Sequence, residues 1–197
     1  MLKDNGSVWD DFNDTFLWGQ GLGPNHPSRQ AVKDWIVSKK FKSKPTFLDV
    51  ACGMGVDHDV LSPYVSYSAA DKTDKMVSVM KAKGVEIVKA DIRELPFKDN
   101  EFDIVQARAI FEHLPDVDEV FLAMKECLRV SKKYCVFSFF LPLEEQETIA
   151  WTDNFFNNTY CKSDIETFLT DNSSKFELQH VPSMGFVDDY DIYFVSK

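Results

Sequence analysis

Thr46-Phe47-Leu48-Asp49-Val50-Ala51-Cys52-Gly53-Met54-Gly55 is the stretch on which the reading of this chain turns. Residues 47–50 form a short apolar run that ends in small residues, the pattern of a buried parallel strand stopping at a tight turn before a helix. Gly53 and Gly55 let the backbone approach a ligand closely or take up positive φ. Asp49 narrows the choice of ligand. Glycine turns that cradle a pyrophosphate attract negative charge through backbone N–H groups and a helix N-terminus. A carboxylate at the strand end opposes that ligand and favours one with positive charge, an ammonium or a sulfonium.

The alternation continues downstream. Val56 to Leu61 reads as a short helix stopped by Ser62-Pro63, and Val65 to Ala70 as a second strand that ends at Asp71. A strand–helix–strand unit closing on an acid about 20 residues on is the pattern that grips a ribose diol. Asp71 or Thr73 also suits the cap of a helix over 73–83. Val85 to Ala90 alternates as a third strand and ends at Asp91. Ligands of a parallel sheet sit beyond the carboxyl ends of its strands, so Asp49, Asp71 and Asp91 are expected to line one edge of one pocket. Asp103 to Arg108 reads as a fourth strand, followed by a loop over 109–115. Asp116 to Val130 is an amphipathic helix with Val120, Phe121, Met124, Cys127, Leu128 and Val130 inward. Tyr134 to Leu141 is a fifth strand, apolar enough to be buried on both faces.

With these features in this order, from Asp49–Gly55 through Asp71 and Asp91-Ile92 to the Leu95-Pro96-Phe97 turn before Phe102-Asp103, residues 45–142 resemble the class I S-adenosylmethionine-dependent methyltransferases. The resemblance implies an α/β, Rossmann-like fold: a seven-stranded, mostly parallel sheet with an antiparallel edge strand and helices on both faces. It implies S-adenosylmethionine as cofactor, with Asp49, Ala51, Gly53, Gly55, Asp71, Lys72, Met76, Asp91, Ile92 and Ala107 as its binding residues. In the family the acid matching Asp91 holds the adenine amino group, and the backbone matching Ile92 meets the ring edge. Ala51 stands where the family has its first glycine, and an alanine there is expected to require negative φ.

Methyl transfer from a sulfonium is an in-line displacement on an activated carbon, so the protein's main task is alignment. A general base is needed only when the acceptor arrives protonated. The loop over 109–115 is the part that faces the reacting end in the family. His113 is the first candidate base, since an imidazole takes a proton near neutral pH, and Glu112 is the second; a structural histidine is the competing reading.

The flanks are less regular. Residues 1–27 carry Trp9, Phe12, Phe16 and Trp18 and then a Gly/Pro-rich hinge, which suits either a lid or a segment packed on the core. Ser28 reads as the N-cap of a helix from Arg29 to Lys39 with Val32, Trp35 and Ile36 on one face. Arg29 at its start is placed either to reach a ligand carboxylate or to sit exposed. Trp151, Phe155, Phe156 and Tyr160 crowd the segment before a helix near 163–170, as a substrate wall or as an aromatic cap. Trp18, Arg29, Trp151 and Tyr160 are the candidate substrate contacts. Residues 176–181 and 190–195 pair as closing antiparallel strands. The whole, 1–197, reads as one domain: an N-terminal arm and helix (1–40), a cofactor-binding core (45–142), and a substrate-side insert with the closing strands (143–197).

Composition bounds the partners. With 32 acidic against 22 basic residues, a net charge of −10, the chain is poorly suited to gripping phosphate backbones. Arg108-Ala109-Ile110-Phe111 replaces the Asn/Asp-Pro-Pro-aromatic loop of enzymes that methylate exocyclic amino groups of bases, and no Pro-Cys pair is present for a cytosine-C5 enzyme. A small-molecule acceptor is the leading class. Four cysteines without a C-x-x-C pair and scattered histidines offer no zinc pattern. No signal-like or membrane-length apolar segment is present, and the expected location is cytoplasmic. A nicotinamide-dependent oxidoreductase would want a third glycine where His58 stands. A non-catalytic S-adenosylmethionine-binding module, or an activator of a partner enzyme, stays open as the alternative.

Overall fold

A computed structural model describes residues 23–140, 147–152, 155–182 and 189–197. The elements follow the hydrophobic periods of the sequence: α1 (Pro27–Ser38), β1 (Thr46–Val50), α2 (Val56–Leu61), β2 (Ser66–Asp71), α3 (Asp74–Ala82), β3 (Ile87–Lys89), β4 (Phe102–Arg108), a 3-10 turn (Phe111–His113), α4 (Val117–Val130), β5 (Ser131–Phe140), β6 (Glu147–Thr152), β7 (Phe155–Thr159), α5 (Lys162–Asn172), β8 (Lys175–Val181) and β9 (Tyr190–Ser196). Seven strands form one sheet in the order β3-β2-β1-β4-β5-β9-β8. The first five run parallel, and β9 runs antiparallel to both of its neighbours in the closing pair. This is the Rossmann-like architecture expected from the sequence.

Alternation along β1 and β4 sorts side chains onto two faces. Leu48, Val50, Val105 and Ala107 pack on one face against Val120, Met124 and Cys127 of α4 and Ile165, Phe168 and Leu169 of α5. Phe47, Ile104 and Val136 pack on the other against Val32, Trp35 and Ile36 of α1 and Leu61 of α2. The Trp35 ring stacks on Phe194 of β9 with centroids 4.8 Å apart. By the same alternation Asp49, Gln106 and Arg108 fall on the α1–α2 face, so three polar side chains of the sheet enter this layer.

Several boundaries differ from the sequence reading. Helix α1 begins at Pro27, and its cap is the His26 ring, which accepts from Ser28 N at 3.2 Å; proline suits the first helical position because its missing N–H would be unpaired there. Thr73 caps α3 by accepting from Met76 N at 3.3 Å, which leaves Asp71 as the last residue of β2. Strand β3 is shorter than its alternating pattern, so Asp91 lies two residues beyond it. The hairpin β6–β7 was not expected: it forms a separate two-stranded sheet, and its register shift between Ala150 and Thr152 breaks the period that would have revealed it. Among the described residues no helix is long and apolar enough to cross a membrane.

The expectation for Ala51 is overturned. Its φ is +57°, the left-handed region. Cys52 N bonds to Ala70 O at 3.2 Å and Gly55 N bonds to Cys52 O at 3.1 Å, so the turn is tied to β2 and holds the alanine in a conformation that costs an L-residue about 1 kcal/mol. Ala51→Gly is therefore expected to stabilise the fold by about 0.5–1 kcal/mol, read as a higher urea midpoint at unchanged m-value. A lower midpoint would mean that the methyl group contributes packing that outweighs the strain.

Candidate active site

Strand order reverses between β1 and β4, and the β1–α2 turn sits at the carboxyl edge of that switch point, where open α/β sheets bind ligands. The two glycines of the turn do different work. Gly55 has φ +73°, and a Cβ there would lie 2.2 Å from Met80 Sδ, so its lack of a side chain lets α3 pack against the turn. Gly53 has φ +53°, and a Cβ there would meet nothing within 4 Å. Its backbone faces open space that a ligand can enter.

Asp71 is buried at the end of β2. One carboxylate oxygen accepts from Gly53 N at 3.0 Å. The other accepts from Thr73 N at 2.9 Å and Thr73 Oγ1 at 3.0 Å. The Lys72 backbone N–H bonds to this carboxylate as well, so its roughly four lone-pair sites are engaged and an incoming hydroxyl takes the place of one of these donors. Burial raises its pKa above the ordinary carboxylate value, against the hydrogen bonds that lower it.

Asp49 lies one residue before the end of β1 and is 2% exposed. It accepts from the Tyr67 hydroxyl and from Gln106 Nε2 at 3.1 Å. Burial, with Asp57 nearby, pushes its pKa up to about 7. Gln106 Oε1 beside it is buried and has no hydrogen-bond partner. A carboxylate and an unpaired amide oxygen together suit an ammonium, the kind of group found at the amino-acid end of S-adenosylmethionine. Together with the open backbone at Gly53 and the Asp71 carboxylate bonded to its N–H, they make a set that fits this cofactor.

Asp91 departs from expectation. Its Oδ1 accepts from Arg93 N at 3.0 Å and Arg93 Nε at 2.8 Å, while Oδ2 meets Arg93 Nη2 at 2.6 Å and Lys72 Nζ at 3.1 Å. Those hydrogen bonds from Arg93 hold its pKa well below the usual carboxylate range. With all four lone-pair sites engaged, the side chain has none left for an adenine amino group unless Lys72 moves. The three acids therefore do not form one uniform negative edge: one sits near its titration point, one is held by backbone N–H groups and a hydroxyl, and one is neutralised by cations. Of the remaining candidate cofactor residues, Lys72 is the half-exposed partner of Asp91. Met76 and Ile92 are buried, and Ala107 is fully buried between Val50 and Phe137 in the sheet register.

A buried ionic cluster flanks this set and was missed in the sequence. Asp57, in the first turn of α2, takes Arg108 Nε at 3.0 Å and Nη2 at 2.7 Å on one oxygen. Burial raises the Asp57 pKa, but the Arg108 and Arg29 guanidiniums outweigh it and hold the carboxyl below its ordinary value. Arg29 is 5% exposed, not on the surface. Its Nε lies 3.5 Å from Asp57 Oδ1 without making a hydrogen bond, and Nη1 donates to Gly23 O at 3.3 Å. Burial and then Arg108 lower the Arg29 pKa to about 10. The signal available in the sequence was Arg108 itself, a cation ending a largely buried strand, where an unpaired charge is rarely buried.

On the far side of β4 the chain enters the 3-10 turn through Ala109, at φ +54°, whose N–H donates to Ser138 Oγ of β5 at 3.1 Å. Glu112 and His113 are both buried in the turn. Tyr160 is buried too, with its hydroxyl 2.9 Å from Leu114 O and 3.1 Å from Phe111 O; it braces the turn instead of standing open as a wall. Trp18 lies outside the described residues, as does the side chain of Trp151 on β6.

Residues 48–139 match the family model described as a methyltransferase domain. Over 113 residues the chain is 34% identical to a demethylmenaquinone methyltransferase of Staphylococcus aureus, a match that takes in 53% of this chain and 44% of that protein. The chain thus spans less than half the length of the curated relatives it matches. Among solved structures, a magnesium protoporphyrin IX methyltransferase from Synechocystis PCC 6803 with bound S-adenosylmethionine superposes with a TM-score of 0.76 at 18% identity, covering 100% of this chain and 99% of that one. A 1,6-didemethyltoxoflavin-N1-methyltransferase from Burkholderia thailandensis superposes at 0.72 and 14% identity, covering 96% and 87%. These two likenesses are of fold.

Proposed function

We propose that residues 48–139, which match the methyltransferase-domain model, form a domain of the class I, S-adenosylmethionine-dependent kind, and that the chain transfers the donor's methyl group to a small organic acceptor. The observation that carries the reading is the switch-point turn. Its left-handed backbone leaves open space at Gly53, whose N–H is bonded to Asp71, and the strand that leads into it carries Asp49, bonded to Gln106, whose Oε1 has no partner. The named acceptors of the similar proteins, demethylmenaquinone, magnesium protoporphyrin IX and 1,6-didemethyltoxoflavin, support a small molecule.

Bound S-adenosylmethionine supplies a methyl carbon already activated by a sulfonium. The chain's own residues then hold and align. Asp71 accepts from the ribose, and Asp49 with Gln106 accepts from the ammonium. Arg29, with its Nε unbonded, meets a ligand carboxylate. Glu112 and His113 stand on the turn after β4, and His113 takes the acceptor's proton where the acceptor carries one.

Calorimetry with S-adenosylmethionine, S-adenosylhomocysteine and NAD tests the donor site, and transfer of a labelled methyl group to fractionated cell extract tests the reaction. Binding of both adenosyl compounds, no binding of NAD and label in a small-molecule fraction is the expected result. Tight donor binding with no labelled product would favour the non-catalytic module. Asp71→Ala is expected to weaken donor binding by about 1.5–3 kcal/mol, the range for hydrogen bonds to a charged group; an unchanged Kd would remove Asp71 from the site. For His113→Ala the expectation is turnover lower by about a hundredfold with donor affinity nearly intact. Should turnover be untouched, alignment alone carries the chemistry.

A further inference from the structure

The hairpin β6–β7 stands outside the main sheet, yet its end is bonded to the turn that carries Glu112 and His113. Asn158 is fully buried, and its Nδ2 donates to Leu114 O at 2.6 Å, with Pro115 O at 3.4 Å and the Tyr160 hydroxyl at 3.3 Å. The Tyr160 hydroxyl in turn shares its one proton between the carbonyls of Leu114, at 2.9 Å, and Phe111, at 3.1 Å. The backbone bonds within the turn are short-range: His113 N donates to Ile110 O and Leu114 N to Phe111 O, each at 3.0 Å.

A single 3-10 turn has poor hydrogen-bond geometry and little stability of its own. Its shape is therefore set by what holds it from outside. Buried carbonyls need donors: Leu114 O takes them from Asn158 and Tyr160, and Phe111 O takes the Tyr160 hydroxyl in addition to Leu114 N. The opposite end of the turn is fixed by Ser138 through Ala109 N. We propose that Asn158 and Tyr160 are positioning residues: the hairpin is a strut whose two polar side chains fix the 111–114 backbone and so aim His113. The functional weight of this strut rests on the reading of His113 given above, but the strut itself is measurable without any methyl acceptor.

The chain has four histidines, so its ring signals in a carbon–proton correlation spectrum are few, and the His113→Gln variant assigns the one of interest. Spectra of the full chain saturated with S-adenosylhomocysteine are recorded across pH for the native protein, Tyr160→Phe and Asn158→Asp. Tyr160→Phe deletes one hydroxyl, and Asn158→Asp keeps the volume while replacing the donor to Leu114 O. The expected result is a displaced His113 signal whose titration midpoint moves by about 0.5 unit or more. His26, His58 and His180 should be unmoved, and the Kd for S-adenosylhomocysteine should stay within about twofold, below the 1.4 kcal/mol that a tenfold change represents. A folded variant with a native His113 titration overturns the proposal; if Tyr160→Phe fails to fold, Asn158→Asp decides on the same criterion. Equal displacement of all four signals also overturns it, because the residues would then be general supports of the fold. Absence of labelled product with a displaced His113 signal would refute the transferase reading and leave the strut standing.

Discussion

Asp57→Ala is expected to destabilise the fold by about 3–5 kcal/mol, the cost of removing one partner from a buried ion pair. Arg108 and Arg29 are both within ion-pair distance of this one carboxylate, at 2.7 and 3.5 Å, and all three side chains are less than a tenth exposed. Without Asp57, two guanidiniums face each other in a layer lined by Val32, Leu61 and Ile104. Each has lost its water and its paired carboxylate, and the buried Asp49 remains as a weaker counter-charge. The pair is not for that reason a large net source of stability, because desolvation of all three groups offsets most of the attraction between them. The triple variant Asp57→Leu, Arg108→Met, Arg29→Met should therefore recover most of the loss of the single one. Urea unfolding of the native, single and triple proteins measures both differences. A single-variant loss below about 1 kcal/mol would mean that water reaches the cluster.

Asp49→Asn is expected to make stability less dependent on pH, with the largest gain on the alkaline side. Burial raises the folded pKa of Asp49 from 3.8 to about 7, so between these values the folded chain holds a proton that the unfolded chain has released. This group's contribution to stability therefore falls as pH rises from about 4 to about 7 and is lowest above that window. Asparagine removes the ionisation and the slope. At pH 8 the variant should be more stable than the native protein by about 2–4 kcal/mol, and at pH 4 the two should agree. His26 acts in the opposite direction: burial, then Arg108, lowers its pKa from 6.5 to about 4, and its contribution is lost as pH falls through that range. The difference between variant and native at each pH isolates Asp49, whereas the native curve alone carries both. A constant difference across pH would show that Asp49 is ionised throughout.

Much of the fold was legible because its signals are local. Apolar runs of strand length, each followed by small residues or an acid, set the β–α alternation around residues 46–140, and the glycines at 53 and 55 marked the turn that positions the site. The hairpin was not legible, since a bulge at Ala150–Thr152 and its place outside the main sheet deprive it of a clean period. Ala51 was misread because the sequence carries no record of the bonds tying its turn to β2. Arg29 was left between a ligand contact and the surface, and burial was decided by Asp57, which reaches it from another helix.

The sequence by itself determined the order of strands, turns and helices, the place of the switch point and the residue types gathered there, because hydrophobic period and glycine placement act over a few neighbouring positions. Only the tertiary structure decided what those residues are electrically. Tyr67 meets Asp49 across 18 positions, Arg108 meets Asp57 across 51, and Asn158 reaches Leu114 across 44. Charge state depends on such partners and on the depth of burial, and both exist only once the chain has folded.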